Sequence, residues 1–169
     1  LIRACNLNGF AVINASVAWH DYIISIIVKK INIKQSNFLY KKTNLNMTKL
    51  INKKNLVISS INNYINKFTK KKVAIWGAGH QALTLISLAN LSTKKILFVV
   101  DSAIFKQNKF TPASHIPIVA PSKLHLSDME AIIVMAASYS DEVVQILKKD
   151  YKFNFSISVF KENKLIIVR

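Results

Sequence analysis

A chain of 169 residues, 51% hydrophobic, has the apolar material for one ordinary core with an appendage, and none of its apolar runs approaches the roughly 18 residues that span a bilayer. A lone thiol, Cys5, excludes an internal disulfide and a cysteine-built zinc site, and suits a reducing compartment such as the cytoplasm. The net charge of +16 could draw phosphates, but it comes with abundant Asn and Ile, scarce Gly and Pro, and basic residues crowded into Lys29–Lys72 without aromatic platforms, a skew that AT-rich codons impose, so no specific nucleic-acid partner is expected.

Leu1 to Phe10 reads as the end of a helix, a stop at Gly9 and the start of a strand, without the organisation of a signal peptide. A chain that opens this way is expected to be a piece of something longer. Two apolar runs follow, Phe10–Ala18 and Tyr22–Val28, rich in Ile, Val and Ala and joined by Trp19-His20-Asp21, which predicts two neighbouring strands and a short turn. Two strands cannot stand alone, so they need a sheet to join. Residues 31–71 are rich in Lys and Asn, with no Gly or Pro. Leu50, Ile51, Ile58, Ile61, Ile65 and Phe68 recur at helical spacing there, predicting a connecting helix from about Met47 to Phe68, capped by Asn46 or Thr48.

From Lys72 the signals alternate. Val73–Trp76 predicts a strand, Gln81–Leu91 a helix, and Ile96–Val100 a strand ending on Asp101. A long loop, Ser102 to about His115, leads to the short apolar run Ile116–Val119, and Pro121 sits where a helix could begin. Ala131–Ala137 is apolar throughout, as a central parallel strand covered on both faces would be. Ser140, followed by Asp141 and Glu142, is placed to cap a helix to about Asp150, and Phe155–Phe160 and Leu165–Val168 read as the last strands. The alternation predicts an α/β fold with a doubly wound, mostly parallel sheet over 72–169, preceded by a two-strand remnant (1–30) and a helical linker (31–71).

Gly77-Ala78-Gly79-His80-Gln81-Ala82 matches GxGxxA between strand and helix, so the sheet is expected to be Rossmann-like. The first Gly permits a tight turn, and the second lets a ligand phosphate approach the helix-terminal amides. Asp101 closes the next strand, where such an acid would grip a ribose hydroxyl. Gly77, Gly79 and Asp101 are therefore candidate cofactor contacts, although many such turns serve only to pack strand against helix. His20 at a strand-end turn could be a general base or an exposed turn residue. His80 could face a ligand or simply lead into the helix. Lys106, Lys109 and His115 lie in the loop after the second strand, where carboxyl-end loops form the ligand crevice, and Tyr139 could line the same crevice. His125 reads as solvated, and the histidine spacing carries no metal signature.

The segment from Lys72 to about Ile146 resembles the C-terminal domain of the S-adenosylmethionine-dependent sugar C-methyltransferases. The resemblance rests on Gly77-Ala78-Gly79, Val99-Val100-Asp101, Lys106-Gln107, and Thr111-Pro112 followed by His115-Ile116-Pro117-Ile118-Val119. Asn8-Gly9-Phe10-Ala11-Val12, His20 and Ile26-Ile27-Val28-Lys29-Lys30 are similar to the last two strands of that family's central methyltransferase domain. The chain departs from the family's usual pattern at Asp21-Tyr22-Ile23, where two glycines and a serine are usual. It also departs at Ala113-Ser114, where Gly-Thr is typical, and at Ser138-Tyr139, where Trp-Asn is frequent. The resemblance implies methyl transfer to a carbon of a nucleotide-linked sugar, with His20 as candidate base and His80, Lys106, His115 and Tyr139 shaping the substrate crevice. It implies S-adenosylmethionine as the donor in an intact parent enzyme. The donor's Gly-rich turn and the zinc-binding cysteines would lie in a region that this chain does not carry, so tight binding of the donor to this chain is not expected. The alternative reading is a non-catalytic nucleotide or sugar-nucleotide binding module.

Overall fold

The computed structural model describes residues 1–18, 23–31, 46–69, 72–151 and 155–168. They fall into two compact units, Leu1–Leu45 and Asn46–Arg169, each considered by itself. The first contains a short helix α1 (Ile2–Leu7) and two strands, β1 (Phe10–Ala18) and β2 (Ile23–Lys30), paired antiparallel from Phe10↔Lys30 to Ala18↔Ile23 with an irregularity between Val12 and Asn14. Gly9 takes φ +79° at the stop, and its carbonyl accepts the Ile31 amide at 2.9 Å, closing the open end of the ribbon. The two predicted strands are present, but Ile13, Val17, Ile23, Ile24, Ile27 and Val28 are exposed, so the ribbon buries little of its apolar surface. The predicted turn with His20 falls on residues 19–22, outside the described residues.

The second unit opens with α2 (Met47–Ile65). The Asn46 side chain caps it by accepting the Lys49 amide at 3.0 Å, which decides between the two predicted caps. Then come β3 (Val73–Trp76), α3 (His80–Leu88), β4 (Ile96–Val100), β5 (Lys109–Phe110), β6 (Pro117–Val119), β7 (Ala131–Val134), α4 (Ser140–Asp150), β8 (Ser156–Lys161) and β9 (Lys164–Ile167). They form one seven-stranded sheet in the order β5-β6-β4-β3-β7-β8-β9, parallel except for β5 and β9 at its two edges. The chain winds outward through β3, β4 and β6, then returns to the other side of β3 for β7 and β8. The predicted doubly wound α/β sheet is present, and its switch point lies between β3 and β7.

Period-two alternation divides the core between the two faces of this sheet. Val73, Ile75, Val99 and Ile133 pack with Ile61 and Ile65 of α2 and Ala82, Leu85 and Ile86 of α3. Ala74, Trp76, Phe98, Ile132 and Val134 pack with Val143, Val144 and Leu147 of α4. Every residue of β3 and β7 is buried, which explains their unbroken apolar runs.

Three local expectations are revised. Pro121 opens only a short 3-10 segment, Pro121–Leu126. The Ala131–Ala137 run ends as a strand at Val134, where its pairing with Trp76 and Val159 stops, and Ala137 takes φ +52° at the start of a 3-10 turn. Ser140 is the first residue of α4 rather than its cap, and its hydroxyl reaches back to accept the Ala136 amide at 3.2 Å.

Candidate functional site

Six of the candidate residues follow the carboxyl ends of β3, β4 and β7. Gly77 leaves β3 with φ +116°, and its amide donates to the Val100 carbonyl at 2.8 Å. A Cβ at this position would stand 2.5 Å from the Met135 carbonyl oxygen, so close packing of the β3 turn on the β7 exit requires glycine. Gly79 is different. It has extended backbone at the N-cap of α3, and a Cβ there would meet nothing within 4 Å. His80 begins the helix and is exposed. Gln81, which no motif singles out, spans the switch point: its Oε1 accepts the amide of the left-handed Ala137 at 3.1 Å. Tyr139 follows, half exposed, at the N-cap of α4.

Asp101 is the centre of this end of the sheet. Its Oδ2 accepts the Ala78 amide of the Gly turn at 2.8 Å and the Lys106 ammonium at 3.0 Å, while Oδ1 accepts the Ala103 amide at 2.9 Å. Its backbone joins in: the amide donates to the Val119 carbonyl at 3.1 Å, and the carbonyl accepts Gln107 Nε2 at 3.0 Å. The side chain is 11% exposed. Burial alone would raise the carboxyl pKa, but the Ala103 and Ala78 amides and Lys106 outweigh it and hold the carboxyl below its ordinary value of 3.8. The spacing Asp-x4-Lys-Gln thus has a structural meaning: Lys106 and Gln107 both return to Asp101. A carboxylate offers about four lone-pair sites, and three are in use, so gripping a ribose diol would require displacing a lysine or a backbone amide.

His115 does not share this end. The predicted single loop after β4 is broken by Asn108 (φ +59°), where the chain reverses into β5, running back antiparallel to β6. The turn 111–116 therefore stands on the amino-terminal side of β6, roughly 15 Å along the strand direction from Asp101. Its pin is Thr111, 1% exposed, whose Oγ1 accepts the Ile116 amide at 2.9 Å and lies 2.6 Å from Ser114 Oγ. Ala113 and His115 both take left-handed backbone, at φ +60° and +51°. Glycine, usual in the related pattern at Ala113, would adopt that conformation without strain.

Among the described residues, no group of three or more His, Cys, Asp or Glu could hold a metal ion. No helix among them is long and apolar enough to cross a membrane. Two grooves, of about 350 and 550 Å³, flank the β8–β9 hairpin. Neither is lined by Gly77, Gly79, Asp101 or Lys106.

The sequence pattern of the family described as "C-methyltransferase C-terminal domain" matches residues 48–157, well over half of the chain. The C-methyltransferase NovU of Streptomyces niveus is 30% identical over 74 residues, which cover 44% of this chain and 18% of that relative. The similarity thus spans less than a fifth of the relative's length.

Proposed function

The chain belongs to the family of C-methyltransferase C-terminal domains, and from that premise we propose that it is the substrate-side part of an S-adenosylmethionine-dependent C-methyltransferase acting on a nucleotide-linked keto sugar or a similar small carbonyl compound. The family match over residues 48–157 carries this reading. The chemistry proposed for the whole enzyme is methylation of a carbon beside a carbonyl after that carbon loses a proton. The acceptor's phosphates would meet Lys106 and His80 beside the open space at Gly79, with Tyr139 across the switch point. His115, at the other end of β6, stands outside this grouping. The proposed partner is a methyltransferase region that supplies the donor site.

The Gly turn of this chain does not fit S-adenosylmethionine. Gly77 is packed on Met135, and the acid that would hold the donor's ribose is engaged by Ala78, Ala103 and Lys106. No part of the donor site is therefore assigned to it. The same engagement weighs against a stand-alone dinucleotide-binding module. Calorimetric titration with NAD separates the two readings: tight binding would favour the module.

His20 is the proposed base of the whole enzyme. The test is methylation of a panel of UDP- and dTDP-linked keto sugars by the enzyme carrying this chain, followed by mass spectrometry. His20→Ala should lower the rate by about 100-fold or more. An unchanged rate would overturn the base assignment, and no methylation of any sugar nucleotide by the unaltered enzyme would overturn the substrate class.

A further inference from the structure

We propose that Asp101 is a positioning residue that touches no ligand and holds Lys106 at the mouth of the Gly turn, so that Lys106, and not the acid, makes the contact with substrate phosphate. The proposal rests on the functional reading above and deepens it. One oxygen, Asp101 Oδ2, accepts from both Ala78 N and Lys106 Nζ, which keeps the ammonium within roughly 6 Å of the turn's amide. The other oxygen ties down Ala103, and the backbone carbonyl holds Gln107, so both ends of the segment bearing Lys106 are fixed to one residue. A long, flexible lysine side chain is thereby restricted to the neighbourhood of the Ala78 amide, in a turn whose Gly79 would have nothing within 4 Å of an added Cβ. An acid at this strand end would conventionally face a ribose. Here three donors of the protein itself occupy it, from two different loops.

Positioning, ribose gripping and simple charge effects predict different responses to substitution. Glutamate keeps the charge of Asp101 but moves the carboxylate by one methylene, away from Ala78 and Lys106. Positioning therefore predicts that Asp101→Glu harms phosphate binding, whereas a pure charge effect predicts tolerance. The experiment is a calorimetric double-mutant cycle over Asp101→Glu and Lys106→Met on the full chain, using inorganic pyrophosphate and UDP-glucose as probes. Lys106→Met and Asp101→Glu should each weaken both probes by about tenfold, and the double variant should be no weaker than Lys106→Met alone.

Loss confined to UDP-glucose in Asp101→Glu would restore the ribose grip and overturn the proposal. Full affinity in Asp101→Glu, or additive losses in the double variant, would overturn it too. Should Asp101→Glu fail to fold, the same cycle is run with Asp101→Asn, where additivity again contradicts the proposal. If neither probe binds the unaltered chain, the phosphate-contact reading falls and the proposal with it. Binding without coupling sinks the proposal alone.

Discussion

Residues 101–108 leave the carboxyl end of β4 gathered around one buried carboxylate. Residues 111–116 turn the β5–β6 hairpin at the opposite end of the sheet, gathered around one buried hydroxyl. In the sequence the two segments look like a single motif-rich loop. Two-residue β5 separates them, and only the first reaches the end of the sheet where α/β folds take ligands. The charged brace joins two loops and answers to pH. The hydroxyl brace is local, and it holds two left-handed residues in place. Motif spacing therefore marks the braces of this domain, Asp101 with Lys106 and Gln107 at one end of the sheet and Thr111 with Ile116 at the other.

The largest effect is expected at the turn that the charged brace secures. Gly77→Ala drives a methyl into the Met135 carbonyl at a backbone conformation that L-residues resist, and should cost about 3–5 kcal/mol in urea unfolding. Asp101→Ala leaves the Ala78 and Ala103 amides without their acceptor and should cost about 2–3 kcal/mol. Because the folded-state pKa of Asp101 is depressed, its contribution is fully present above the ordinary value of 3.8 and is lost as pH falls through the folded value. Acid titration of stability should thus be steeper below pH 3.8 for the unaltered chain than for Asp101→Asn.

At the hydroxyl brace, Thr111→Val keeps the shape but removes the acceptor of the Ile116 amide. It should cost about 1–2 kcal/mol, with no change in the pH dependence. The smallest effect expected is favourable: Ala113→Gly relieves left-handed strain and should stabilise by up to about 1 kcal/mol, a gain that thermal unfolding would detect. A large loss in Ala113→Gly would show that this backbone is not strained, and would remove the contrast between the two braces.

Much of the fold was legible because its signals are periodic. Val73–Trp76 and Ala131–Val134 are buried on both faces and so read as apolar runs, and the GxGxxA turn located the strand-to-helix junction. β5 was not legible, since two residues, Lys109 and Phe110, carry no period and the reversal depends on Asn108 adopting a left-handed conformation. Spacing alone therefore places His115 beside Lys106, whereas the chain carries it to the opposite end of β6. At the site, the position of Asp101 could be read from the end of a strand, but the direction in which its carboxylate points could not. Nothing in composition or spacing marks Gln81 as the bridge to Ala137, because that contact exists only once β7 lies beside β3.

The central claim is that the strand-end acid serves the protein and not a ligand. It is tested most directly by carbon-detected NMR titration of the Asp101 carboxyl in the ligand-free chain, with the Ala78 and Ala103 amides followed in parallel. The expected midpoint lies below 3.8, with both amide resonances moving in step with the carboxyl. A carboxyl titrating at or above its ordinary value, with those amides unmoved, would contradict it.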